Sequence, residues 1–160
     1  MKIKSPIDMR RFIPLLLINF MLFSAGIATA YQDTANTQIE FCLGQNKAES
    51  GLVEMEFYKS KRTAFIDPAP IIVNHDIESA VVETGGRVIK EPVIRLVLSQ
   101  EASKKFATFT EQNINKPLAI IVNGKIMSMP IIREKITSGL VVIAGRFTKE
   151  EAEEIVNNLK

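Results

Sequence analysis

From Ile39 onward, short runs of alternating apolar and polar residues give way to longer apolar runs and two amphipathic stretches. Ile39-Glu40-Phe41-Cys42-Leu43 alternates with the period of two that turns one side of a strand to a core. Leu52–Phe57 alternates apolar with acidic residues and predicts a second strand; Thr63–Ile66, after the turn "KSKR", predicts a third. "DPAP" then interrupts, because proline denies a ladder its donor. Ile71–Asn74 reads as a short strand. Ser79–Glu83 fits a strand or a short helix, and Gly85-Gly86 marks a turn.

The second half is more strongly patterned. Pro92 opens "VIRLVLS", a strand with Arg95 as its one polar interior residue. Ser99 caps a helix over about 99–114, with Phe106 and Phe109 as its buried pair. Leu118–Val122 is an unbroken apolar run, as a central strand buried on both sides requires. Asn123-Gly124 predicts a two-residue hairpin, since both turn residues need positive φ; Lys125–Ile132 is the returning strand. Leu140–Ala144 reads as another buried strand. Thr148 and Glu151 form a T-x-x-E capping box for a helix over about 148–159, with Ala152, Ile155, Val156 and Leu159 on one face. The implied fold class is α+β: a two-layer sandwich of a largely antiparallel sheet and two main helices.

The first thirty residues change what counts as the fold. Lys2, Lys4, Arg10 and Arg11 precede the apolar run Phe12–Ala28, which ends in Ala28-Thr29-Ala30. A charged start, apolar middle and A-x-A end make a secretory signal peptide, so residues 1–30 are expected to be cleaved after Ala30. The alternative is an inner-membrane anchor made by residues 12–30, just long enough to span. In either case the basic cluster stays cytoplasmic and the rest crosses, to the periplasm. Residues 31–38 then form a flexible lead-in and 39–160 a single domain. The leader holds 4 of the 20 Lys and Arg and 1 of the 18 Asp and Glu, which leaves 16 basic against 17 acidic residues, a net of −1. Nucleic-acid binding has no electrostatic support in such a domain. Cys42 is the only cysteine, so no internal disulfide forms, and it reads as a small buried hydrophobe.

The chemical inventory is thin. His75 is the only histidine, with Asp76 its one acidic neighbour, and no ligand spacing surrounds them. Glu54 and Glu56 share a strand face and read as solvated. "EEAEE" at 150–154 suits a helix N-terminus, where the macrodipole favours carboxylates. "TGGRV" at 84–88 lacks phosphate-loop spacing, and Ser128 and Ser138 lack a basic partner. No enzyme, cofactor or metal is implied.

Met127 and Met129 invite another reading. In an alternating strand, Met127, Met129 and Ile131 share one face. Methionine is flexible and polarisable, and suits a surface that accepts varied apolar partners. The same row under a helix would be core filling.

"FATFTEQNINKPLAIIVNGKIMSMPIIREKITSG" and "IAGRFTKEEAEEIVNNL" resemble the head subdomain of the first periplasmic domain of the SecD/SecDF protein-export family. Thr110, Asn113, Ile114 and Lys116 match a helix-ending pattern; Leu118–Ile126 match a strand and turn, with Asn123 where Asp is usual. Ser128, Pro130, Ile131 and Ile132 match the returning strand. Ile143, Gly145, Phe147, Thr148, Glu150, Glu151 and Ala152 match the segment that opens the last helix. The resemblance is strong over Pro92–Lys160 and faint over Ile39–Glu91. Members carry several transmembrane helices after this region, with charged residues for proton coupling, and a base subdomain; within 160 residues the reading is a free-standing head module with its own export signal. The resemblance implies a non-enzymatic binding module for unfolded or translocating polypeptide, with Met127, Met129 and Ile131 as its contact residues. The alternative is a docking or regulatory subunit of a membrane protein complex, the export machinery among them.

Overall fold

A computed structural model describes residues 36–84 and 91–159. The leader, Ala28 and Ala30, and the Gly85-Gly86 turn lie outside the described residues.

Two antiparallel strands form the centre: β1 (Ile39–Gln45) and β6 (Leu118–Val122). Their register pairs Ile39 with Val122, Phe41 with Ile120 and Leu43 with Leu118, and these side chains join one apolar cluster. Cys42 and Ala119 pair on the opposite side, beside Ile121, in a second cluster. Burial on both faces is why the run at 118–122 carries no polar residue; all five of its residues are buried.

The first sheet has the order β2-β3-β1-β6-β7, with β2 at Val53–Glu56, β3 at Thr63–Ile66 and β7 at Lys125–Ser128. It curls back on itself. Phe57, just past β2, bridges to Ile126 of β7, and the Tyr58 N–H donates to the Ile126 carbonyl at 2.9 Å. Inside the curl lie Cys42, Ala64, Ile66, Ala119, Ile121 and Ile126, with Met55, Phe57 and Met129 against them. So narrow an interior takes small residues where strands run closest, hence Ala64, Ala119 and Cys42.

The second sheet has the order β4-β5-β8: β4 (Ile77–Thr84), β5 (Pro92–Leu98) and β8 (Leu140–Ala144). Ile94, Leu96 and Leu98 of β5 and Val141 and Ile143 of β8 face the main cluster. α1 (Gln100–Gln112) adds Ala102 and Phe106, and α2 (Lys149–Asn157) adds Ala152, Ile155 and Val156. The chain is an α+β sandwich, as the patterning implies, with its strands divided between two antiparallel sheets.

Local signals account for most boundaries. The Ser99 hydroxyl accepts from the Ala102 N–H at 3.2 Å and starts α1. Thr148 and Glu151 form the reciprocal capping box of α2. Asn123 and Gly124 stand at φ of 48° and 72°, the positive pair that a tight hairpin requires. Residues 79–83, open between strand and helix from sequence, lie within the strand β4. Ile72 makes a single bridge to Phe41, and a 3-10 turn begins at Asn74, so no strand forms at 71–74. β7 ends at Ser128, not Ile132, because Pro130 offers no donor. β8 is not buried on both sides: Val141 and Ile143 are buried, whereas Leu140 and Val142 are exposed. Phe109 is only half-buried, packed against the main cluster beside the fully buried Phe106.

Candidate interaction surface

Met127, Met129 and Ile131 do not form one row. The β6–β7 register shifts between Ile120, which pairs with Ser128, and Ile121, which pairs with Ile126. Met127 is the extra residue. A bulge of this kind breaks the alternation and sends later side chains to the other face. Met127 therefore packs on the main cluster and Met129 on the inner one, both half-buried. Ile131, past the end of β7, is 37% exposed. It lines a groove of about 240 Å³ with Leu118, Pro130, Ile132, Arg133 and Ile136.

The ionisable groups are structural wherever their partners are visible. His75 projects into solvent, 3.6 Å from Asp76. Asp76 is buried; it accepts from the Val73 N–H at 3.0 Å and lies 3.7 Å from Lys105. Glu56 pairs with Lys125 at 2.7 Å, which holds its carboxyl below the usual range, while Glu54 is exposed beside it. Burial pushes the Cys42 thiol up to about 12, so it stays protonated and unreactive. Among the described residues, no group of three His, Cys, Asp or Glu side chains could hold a metal.

Of the other exposed large apolar side chains, Val53 and Ile114 stand elsewhere, and three gather on the outer face of the second sheet. Val81, Leu140 and Val142 are 42%, 46% and 50% exposed. Val81 and Val142 both pair with Arg95 from either side, and Leu140 pairs with Val97. Arg95 crosses this face to Glu83, with Nη2 2.6 Å from Oε1, so its charge is neutralised within the sheet. Among the described residues, no helix packs on this side; α1 and α2 both lie on the core side. Sequence reasoning missed this face because "LVVIA" reads as buried on both sides. Arg95 within "VIRLVLS" was the signal that one side of the neighbouring strand meets water.

Residues 50–160 match the family model of the SecDF P1 head subdomain. The chain belongs to that family. The match reaches back over β2 and β3, where sequence resemblance was faint. SecD of Aquifex aeolicus is 41% identical over 90 residues, 56% of this chain and 17% of the relative; SecDF of Thermus thermophilus is 40% identical over 88 residues, 54% and 11%. This chain thus spans less than a fifth of either relative. A solved structure of "a membrane component SecDF that enhances protein export" superposes with a TM-score of 0.62 and 26% identity, covering 84% of this chain and 70% of that one. SecDF in its super-membrane-facing form gives 0.63 and 27%, covering 84% and 21%.

The residues that carry the P1 head likeness are structural. The Phe147 ring folds over Gly145, where a Cβ would stand 2.6 Å from the ring. That ring packs against Tyr58, centroids 6.1 Å apart. Glu151 accepts from the Tyr58 hydroxyl at 2.7 Å, Lys59 Nζ at 2.8 Å and the Thr148 N–H at 2.7 Å. Lys59, the Thr148 N–H and Tyr58 together hold its carboxyl down at about 2, while burial and Glu151 raise the Tyr58 phenol. This cluster pins the β2–β3 turn to the start of α2. The buried Thr110 hydroxyl donates back along α1 and accepts from the Ile136 N–H at 3.0 Å, fixing the segment after Pro130. Among the described residues, no helix is long and apolar enough to cross a membrane.

Proposed function

We propose that this chain is an exported, non-enzymatic P1 head module that contacts unfolded or translocating polypeptide in the periplasm, as part of protein export. The observation that carries this reading is the apolar outer face of the second sheet, in a chain of the SecDF P1 head family. Apolar patches on a folded domain mark contact sites, and Val81, Leu140 and Val142 present theirs beside a neutralised ion pair. Ile131 is exposed at a separate groove and is a second candidate contact residue. Met127 and Met129 serve packing instead. A photo-crosslinking residue in place of Val81, in cells exporting a stalled polypeptide, tests the reading. Adducts to the stalled chain support it. Adducts to one membrane protein alone would favour the docking-subunit alternative.

Residues 1–30 are the export signal in this reading, and 39–160 act as one domain. The exported protein is expected to begin at Tyr31. Intact-mass measurement checks this; a mass that retains residues 1–30 makes the chain membrane-anchored.

A further inference from the structure

We infer that the polypeptide contact is made by strand addition: an extended, uncharged segment of the bound chain pairs along the free edge of β8, from Leu140 to Ala144. The inference rests on the polypeptide-contacting reading and supplies its mode.

Among the described residues, β8 is an outer strand that pairs with β5 alone; β7 lies near it but makes no backbone hydrogen bond to it. The Leu98 N–H donates to the Gly139 carbonyl at 2.8 Å, and the register continues with Leu96 opposite Val141 and Ile94 opposite Ile143. Hydrogen-bonded and non-hydrogen-bonded pairs alternate along an antiparallel ladder. Val141 and Ile143 therefore spend their backbone groups on β5. The N–H and C=O groups of Val142 and Ala144, and the Leu140 carbonyl, point to the open edge, where no described backbone group pairs with them. The Leu140 N–H is taken by the Ser138 hydroxyl at 3.2 Å. Leu140 and Val142 are also the residues whose side chains are exposed on the outer face. Backbone groups and apolar side chains are thus presented by the same residues.

The occupant follows from that geometry. Donors and acceptors that recur at every second residue match only another extended backbone. The five residues of β8 include no charge, and Arg95 behind them is neutralised by Glu83. An uncharged, apolar segment therefore meets no cost of unpaired charge. Backbone pairing is indifferent to side-chain order, as a site for polypeptides of varied sequence requires. The other edges differ. β2 and β7 meet at the Phe57–Ile126 bridge. β4 carries Glu78 and Glu83 and a register shift near its start, devices that blunt an edge. A second copy of the chain could pair through the same edge. A five-residue strand pair falls well short of the roughly 1,000 Å² that a stable interface buries.

The test uses the full chain and a short fluorescent peptide of alternating valine and threonine. Val142→Pro removes an edge-facing N–H and leaves the β5 ladder intact, the one kind of strand position that tolerates proline. Val142→Thr keeps the N–H. Strand addition predicts that the peptide binds Val142→Thr a few-fold more weakly than the unaltered chain, through the lost apolar side chain, and Val142→Pro about tenfold more weakly again, as lost backbone hydrogen bonds imply. It also predicts that peptide slows amide exchange at Val142 and Ala144 in the unaltered chain and leaves Val141 and Ile143 unchanged. That measurement decides alone if Val142→Pro does not fold. Undiminished binding by folded Val142→Pro, or bound peptide without slowing at Val142 and Ala144, overturns the inference and leaves polypeptide contact standing. So does binding of a fully unfolded protein without binding of the peptide. Slowing that grows with protein concentration in the absence of peptide assigns the edge to a second copy and overturns it too. No binding of peptide or unfolded protein overturns both readings.

Discussion

Gly44 of β1 lies against Met129, whose sulfur would stand 2.8 Å from a Cβ placed there. Met129 is thus a half-buried plug at the mouth of the inner cluster, packed over a strand that has no side chain at that point. Met129→Ala is expected to cost about 1–2 kcal/mol, below the range for fully buried residues because half of the side chain is already wet. Chemical denaturation measures it, and a change within about 0.5 kcal/mol would return Met129 to the surface. Gly124 holds φ at 72° with open space around it. Gly124→Val is therefore strained by its backbone alone, by about 1–3 kcal/mol; an unchanged melting temperature would contradict that. Asn123-Gly124 was legible in the sequence because the turn's chemistry is local. The fate of Met127 and Met129 was not, because one bulge residue decides which face each takes, and no local pattern announces it.

Elements with local start and stop signals were legible, and those set by distant partners were not. Both helices begin at the caps the sequence names, Ser99 and Thr148. The run at 118–122 is the buried central strand its composition implies. The division of strands into two sheets left no such mark, since alternation says which residues are apolar and not which sheet they join. β8 shows this most clearly: five apolar residues read as a core strand, yet three of them line an edge and an outer face. The start of α2 also makes stability depend on pH. Glu151 has an ordinary value near 4.5 and a folded-state value of about 2. A carboxyl lowered by folding stabilises fully above its unfolded value and loses that contribution as pH falls through its folded one. Glu151→Gln can still cap, as glutamine does at this position, but its amide does not titrate. Urea midpoints should therefore separate the two proteins at neutral pH and converge as pH falls from about 4.5 toward 2. Parallel curves over that window would mean that the Lys59 and Tyr58 contacts do not stabilise the folded state.

At the scale of the whole molecule, the head is two sheets with one shared core, and the second sheet turns an apolar face outward. Its family motifs build the scaffold: Gly145, Phe147, Thr148 and Glu151 lock α2 to the β2–β3 turn, and Thr110 anchors the segment after Pro130. These residues are spent on packing and hydrogen bonds within the fold, so the motifs identify the family and leave the proposed contact surface unmarked. A double replacement, Leu140→Thr with Val142→Thr, places β-branched side chains at both positions of β8 and removes apolar surface from the outer face. As exposed positions, the pair is expected to change stability by no more than about 1 kcal/mol. The most direct measurement is a titration of the full chain, and of this variant, with a permanently unfolded protein and with the same protein in its native form. The account predicts binding of the unfolded form only, weakened several-fold or more by the double replacement while the melting temperature holds. Equal binding by the variant, or no preference for the unfolded form, would contradict it.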